Sequence, residues 1–194
     1  MIYLLGGPPR VGKSIIASKI RLKHAVSVVS TDSLCAVLQN VLSPESAPDL
    51  FIFDRFNKKF MAERVEIITR DPEELVDYVR QESGVVWKAV DPFIRRENEE
   101  GRDVLIEGVA ILPELVSQLE DRTYRVVFIG NQGEHHEENI RKFADEHEHD
   151  WMRDVSDSYI SGFAMFVKCM SVYIEQEAKK YGFKYIEMDQ ELFG

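Results

Sequence analysis

The chain has 194 residues, 44% of them apolar, and a net charge of −10. This length and apolar content predict one folded domain with a core and exclude a disordered chain. The acidic balance argues against nucleic acid as the main partner, and no apolar run is long enough to span a bilayer. We therefore expect a single domain over residues 1–194 that is cytoplasmic and has no membrane partner.

The first predicted strand, over residues 2–5, runs into a phosphate-binding loop. Its pattern G-x-x-x-x-G-K-[ST] is complete, and a helix-like stretch over 13–23 follows. Glycines let the backbone amides face phosphate oxygens, and the helix dipole adds positive potential. We expect Lys13 to reach the β- and γ-phosphates of ATP, and the Ser14 hydroxyl to contact Mg²⁺. The predicted nucleotide-binding residues are Gly7, Pro8, Pro9, Arg10, Val11, Gly12, Lys13, Ser14 and Ile15.

The later elements alternate between strands and helices. The sequence Asp71-Pro72-Glu73-Glu74 predicts a helix start, and this helical face continues to about residue 100 after an interruption at Gly84. Further strands are predicted over 25–29, 103–108, 125–130 and 183–188, and further helices over 34–42, 112–120, 134–148 and 157–181. This alternation predicts an α/β fold with a parallel sheet and helices on both faces.

Two carboxylates follow predicted strands at the edge where such sheets bind ligands. Asp32 comes after strand two, and we expect it to orient an acceptor hydroxyl, accept its proton or hold a water on Mg²⁺. The alternative for Asp32 is a helix N-cap. Glu107 ends strand three and is predicted to hold a metal-bound water or assist Asp32, the alternative being a backbone cap. The predicted metal site is therefore Ser14, Asp32 and Glu107.

Basic side chains in two segments are candidates for binding anions. Arg141 and Arg153 lie in a predicted lid over about 131–156, where an arginine that closes over the phosphates would be catalytic. Arg55 and Arg64 lie in a predicted acceptor-binding segment over about 43–100. The alternative for all four is an ordinary solvated surface. The histidines of the lid are interpreted as part of a solvated helix and loop, not a zinc site: His135, His136, His147 and His149.

Three segments together resemble the 2-phosphoglycerate kinase-like branch of the P-loop kinases. They are the N-terminal phosphate loop, the step Ser30-Thr31-Asp32 and the run Val104-Leu-Ile-Glu-Gly-Val-Ala-Ile-Leu-Pro-Glu114. The resemblance implies a three-layer P-loop NTPase fold with a five-stranded sheet of order 2-3-1-4-5. It also implies that Asp32 is the acceptor base and Glu107 an accessory acid. Ala110 departs from the histidine that this branch usually carries there.

These observations favour an ATP- and Mg²⁺-dependent kinase whose acceptor is a hydroxyl on a small phosphorylated or carboxylated metabolite. A nucleoside monophosphate kinase is the alternative within this class. A nucleotide-dependent switch is a further alternative, but the guanine-reading pattern Asn-Lys-x-Asp has only the near match Asn57-Lys58-Lys59-Phe60, which lacks the acid. A scaffold without catalysis is disfavoured by the intact Lys13, Ser14 and Asp32. An oligomer is possible, but the sequence does not indicate one.

Overall fold

The computed structural model describes residues 1–53, 71–120 and 123–188. Within these ranges a five-stranded sheet has the order β2-β3-β1-β4-β5, and every neighbouring pair is parallel. The predicted fold class and strand order are therefore confirmed. The strands are β1 (Ile2–Gly6), β2 (Ser27–Ser30), β3 (Val104–Gly108), β4 (Tyr124–Gly130) and β5 (Lys184–Glu187).

Six α-helices and one 3₁₀ turn connect the strands within the described residues. They are α1 (Lys13–His24), α2 (Thr31–Val41), the 3₁₀ turn Pro48–Phe51, α3 (Pro72–Glu99), α4 (Pro113–Val116), α5 (His136–Glu146) and α6 (Asp157–Tyr181). The predicted bounds of α6 are confirmed at both ends. The Ser156 hydroxyl caps its start, and Gly182 ends it in the left-handed conformation at φ 74°. No helix in the described ranges combines the length and apolar character needed to cross a membrane.

The predicted interruption at Gly84 is wrong, because α3 runs unbroken from Pro72 to Glu99. One face of the helix is buried around this position, with Val79, Val86 and Val90 all below 7% exposed. The free energy of that burial outweighs the cost of about 1 kcal/mol that glycine adds to a helix interior. The predicted start is confirmed, since the Asp71 side chain accepts a hydrogen bond from the Glu74 backbone N–H.

The predicted helix over 112–120 is also wrong in length, because α4 ends at Val116. The Ser117 hydroxyl and the Gln118 side-chain amide both donate to the Glu114 carbonyl, at 2.8 and 3.0 Å. A continuing helix would have used that carbonyl for the Gln118 backbone N–H, which donates to Leu115 instead. Local side-chain hydrogen bonds thus compete with the helix and end it.

The central strands β1 and β3 form the middle of the core. Ile2, Leu4, Val104, Leu105 and Ile106 are each at most 2% exposed. Helix α1 packs on β3, α6 packs on β4, and α3 packs on α6. With the interior filled in this way, the carboxyl ends of β1, β2 and β3 meet at one edge of the sheet and carry the polar side chains described next.

Candidate active site

Strand register brings the ends of three strands together at the carboxyl edge of the sheet. Glu107 on β3 lies opposite Ser30 on β2 and opposite Leu5 on β1. Gly6, which leads into the phosphate loop, lies opposite Gly108. The loop, the start of α2 and the end of β3 therefore share one location, as the parallel topology predicts.

Positive backbone φ angles shape the phosphate loop. Gly12 has φ 86° and Arg10 has φ 63°, both in the left-handed region that favours glycine. Gly7 sits tightly against β4, since a Cβ there would meet the Ile129 carbonyl oxygen at 2.4 Å. The loop then passes into α1 at Lys13. The first backbone amides of a helix have no acceptor within the helix, so they are available to a phosphate.

Lys13 is a buried cation inside this loop. Its Nζ donates to the Pro8 carbonyl at 2.5 Å, and the residue is 7% exposed. Burial lowers the pKa of Lys13 to about 8, while the carboxylates of Glu107 and Asp32 act in the opposite direction. A positive group on the loop and shielded from water interacts strongly with any phosphate that the loop takes up.

Ser14 and Glu107 supply oxygen donors beside Lys13. The Ser14 hydroxyl lies 3.4 Å from Glu107 Oε1, and Glu107 is 7% exposed. Burial raises the pKa of Glu107, with a further contribution from the Asp32 charge and opposition from Lys13. A hydroxyl and a carboxylate are the hard oxygen ligands that Mg²⁺ prefers, and nucleotide-bound Mg²⁺ takes few ligands from protein. These residues therefore fit the predicted Mg²⁺.

The alternative role for Asp32, a helix N-cap, is wrong. Ser30 is the N-cap of α2, because its hydroxyl accepts a hydrogen bond from the Asp32 backbone N–H at 3.2 Å. Asp32 lies one residue inside the helix and is exposed. In the described part of the chain, no hydrogen bond or ion pair engages its carboxylate, so that group is free to contact a ligand.

Asp32 lines a pocket of about 190 Å³ between α2, α3 and residues 109–110. Its walls are Thr31, Asp32, Cys35, Ala36, Gln39, Glu82, Ser83, Val86, Val109 and Ala110. Only the α3 side falls in the predicted acceptor-binding segment. Sequence reasoning missed the α2 side beyond Asp32, because a pocket between two helices depends on how they pack and no local motif marks it.

Thr31, which lines this pocket, packs closely against Gly108. Thr31 is 1% exposed, and its hydroxyl accepts a hydrogen bond from the Ala110 backbone N–H at 3.4 Å. Gly108 has φ 149°, and a Cβ there would meet the Thr31 hydroxyl oxygen at 1.8 Å. Close packing between α2 and the end of β3 thus positions Asp32 relative to Glu107.

The predicted catalytic arginines do not contact the phosphate loop in the described residues. Arg141 donates to Asp157 and, at 3.5 Å, to the Val155 carbonyl. Arg153 is exposed. The predicted substrate-binding residues Arg55 and Arg64 lie outside the described residues. An arginine that does join the phosphate loop to the predicted lid segment is Arg10, which pairs with Asp150. The sequence motif marked Arg10 only as a loop member.

The interpretation of the lid histidines as solvated is wrong for His136. This residue begins α5 and is 5% exposed, and neither ring nitrogen has a hydrogen-bond partner among the described residues. Burial lowers the pKa of His136 to about 4. The neutral ring is therefore part of the packed interior at the start of α5.

Comparison with known proteins places the chain among kinase relatives. No protein-family model matches it. It is 27% identical over 188 residues to 2-phosphoglycerate kinase of Pyrococcus horikoshii, covering 96% of this chain and 59% of that one. It is 28% identical over 130 residues to 2-phosphoglycerate kinase of Thermococcus kodakarensis, covering 66% and 43%. The chain thus spans about half the length of these curated relatives.

Among solved structures, shikimate kinase from Acinetobacter baumannii in complex with shikimate gives a TM-score of 0.48 at 14% identity, over 97% of this chain and 83% of that one. The likeness to kinases rests on the sequence relatives and not on this structure. They confirm the resemblance of this chain to the 2-phosphoglycerate kinase branch of the P-loop small-molecule kinases.

Proposed function

We propose that this chain is a phosphotransferase that moves the γ-phosphate of ATP, with Mg²⁺, to a hydroxyl of a small anionic metabolite. One observation carries the proposal. The Asp32 carboxylate lines a pocket and also lies within electrostatic range of both Lys13 and Glu107 at the phosphate loop. A carboxylate between a phosphate site and a pocket for a second molecule is the arrangement that in-line transfer to a hydroxyl requires.

Each group has a role in this reaction. The loop amides and Lys13 bind the β- and γ-phosphates, with the Lys13 ammonium moving from the Pro8 carbonyl to the phosphate oxygens. Mg²⁺, when bound, neutralises phosphate charge, and Ser14 and Glu107 are the residues that would hold it, directly or through water. Asp32 orients the acceptor hydroxyl and accepts its proton at a carboxylate oxygen. The new O–P bond forms as the bond from the γ-phosphorus to the bridging oxygen breaks, and that oxygen leaves with ADP.

The pocket favours a small acceptor. Its volume of about 190 Å³ is below the roughly 300–1,000 Å³ of pockets that hold drug-sized ligands. The relatives are named for 2-phosphoglycerate, a three-carbon acid with one hydroxyl, and it is the first acceptor to test. The proposal that Arg55 and Arg64 bind its anionic groups stays a prediction.

The test is transfer of label from [γ-³²P]ATP with Mg²⁺ to a panel of acceptors. The panel contains 2-phosphoglycerate, 3-phosphoglycerate, shikimate, nucleoside monophosphates and sugars. We expect label on one hydroxyl acceptor, and a loss of at least about 10³-fold in Lys13→Ala, which removes the charge that binds the transferring group. Label on a nucleoside monophosphate would move the protein to that class of kinase. ADP release without any labelled acceptor, or full activity in Lys13→Ala, would contradict the proposal.

A further inference from the structure

Arg10 connects the phosphate loop to the predicted lid through a two-pronged ion pair. Its Nη1 lies 2.5 Å from Asp150 Oδ2, and its Nη2 lies 2.7 Å from Asp150 Oδ1. The side chains are only 17% and 7% exposed. A bidentate arginine–carboxylate pair fixes both distance and orientation, and its shielding from water distinguishes it from exposed pairs that contribute little.

Two aromatic rings of the lid also contact the Arg10 guanidinium. Its carbon lies 5.6 Å from the centroid of Phe143, on α5, and 5.5 Å from that of Trp151. Both distances are in the range of cation–π attraction. Trp151 in turn packs edge-on against Tyr159 and Phe163 of α6. The contacts therefore run without a gap from the phosphate loop through Arg10 to α6.

Asp150 is itself held in place by its own segment. Its Oδ1 also accepts a hydrogen bond from the Met152 backbone N–H at 2.8 Å, and Met152 is fully buried. The Arg10 hydrogen bond is the main cause that lowers the pKa of Asp150. Asp150 thus carries its charge near neutral pH, and it is anchored by its own segment.

The ion pair also bears on the unusual backbone conformation of Arg10. Arg10 has φ 63°, a left-handed conformation that is costly for any residue with a side chain. Glycine would adopt this turn without strain. The Arg10 side-chain contacts oppose relaxation of the turn, so they help to keep the loop in the shape that receives phosphate.

We propose that Arg10 and Asp150 form a latch that holds residues 147–153 against the phosphate loop and makes Arg10 a positioning residue for nucleotide binding. The latch rests on the proposed function in one respect only, that the loop binds a nucleoside phosphate. It keeps the turn at Arg10 formed before the nucleotide arrives, so less ordering accompanies binding.

The test is the equilibrium affinity for ADP with Mg²⁺, measured by titration calorimetry without an acceptor. We expect Arg10→Met and Asp150→Asn each to raise Kd about tenfold, a typical size for coupled contacts. The double variant should bind no more weakly than either single variant, because both changes remove the same interaction. Arg95→Met is the matched control. Arg95 makes a bidentate pair with Asp91 at 2.8 and 3.0 Å on α3, and its loss should leave Kd unchanged.

Trp151 gives a second readout that does not depend on nucleotide. The chain has two tryptophans, so Trp87→Phe leaves Trp151 as the only source of tryptophan fluorescence. In that background we expect both Arg10→Met and Asp150→Asn to increase acrylamide quenching of Trp151. Arg10→Met removes the guanidinium that contacts the ring. Asp150→Asn weakens the ion pair that holds the guanidinium in place. Unchanged quenching in both would overturn the latch.

Two affinity results would also overturn it. Wild-type Kd in both Arg10→Met and Asp150→Asn would show that the pair does not act on binding. Weak binding in Arg10→Met alone would assign Arg10 to direct contact with the nucleotide. If Arg10→Met fails to fold, Arg10→Lys carries the same test, because lysine keeps the charge and loses the planar fork. These experiments measure ADP binding and fluorescence and not phosphoryl transfer. They therefore test the latch even if the protein proves not to be a kinase.

Discussion

His136 is a residue whose environment the sequence did not reveal. Its neighbours along the chain are charged, yet the ring is buried at the start of α5 without a hydrogen-bond partner in the described ranges. An unpartnered imidazole in such a site remains neutral, because a charged ring would lose its hydration. The His136 ring is therefore protonated at a lower pH in the folded state than in the unfolded chain.

His136 should make stability depend on pH in the acidic range. The pKa is about 4 in the folded state against 6.5 for the free side chain, so the unfolded state binds more protons between these values. The contribution of His136 to the free energy of unfolding is fully present above pH 6.5 and is lost as the pH falls towards 4. The total loss is about 3 kcal/mol. The measurement is the free energy of unfolding in urea from pH 7 to pH 4, for wild type and His136→Leu.

The variant should show a shallower fall over this range, even if its stability at pH 7 differs from wild type. His149→Leu is the control for the loss of one histidine, because His149 is exposed. Equal slopes in wild type and His136→Leu would show that His136 is not held neutral in the folded state.

At the scale of elements, α3 shows how packing overrides local propensity. Gly84 lies in the middle of this 28-residue helix, and a Cβ there would meet no atom within 4 Å. The position thus bears the cost of glycine in a helix without any steric need for it.

Gly84→Ala should therefore stabilise the protein by about 0.5–1 kcal/mol, mainly by restricting the unfolded chain. The measurement is a thermal and urea unfolding comparison with wild type. Gly108→Ala is the opposite case, since its Cβ would collide with Thr31, and it should destabilise. A loss of stability in Gly84→Ala would mean that α3 needs glycine for a reason that its surroundings do not show.

Some elements of the fold can be predicted from the sequence and others cannot. The strands and the phosphate loop were predictable, because β-branched runs, turn residues and the G-x-x-x-x-G-K-[ST] pattern act locally. The end of α4 was not, since it depends on side-chain bonds from Ser117 and Gln118 to one carbonyl. The partner of Arg10 was not predictable either, because Asp150 is 140 residues away in the chain.

At the scale of the whole molecule, the parallel sheet explains why one edge carries the site. Three strands end there, and their register places Ser30, Glu107 and the start of the phosphate loop side by side. Helices α2 and α3 then enclose a pocket beside Asp32. In the proposed reaction, Asp32 serves the acceptor while the loop serves the nucleotide.

A comparison of Asp32→Asn with wild type in two assays separates these two roles. The assays are ADP affinity with Mg²⁺, and label transfer from [γ-³²P]ATP to the acceptor found with the wild-type protein. Asparagine keeps the size of the side chain and removes its capacity to accept the proton. We expect a Kd within about threefold of wild type and transfer reduced by roughly 10²–10⁴-fold, the usual contribution of a general base. Unchanged transfer, or a parallel loss of binding and transfer, would contradict this assignment of roles.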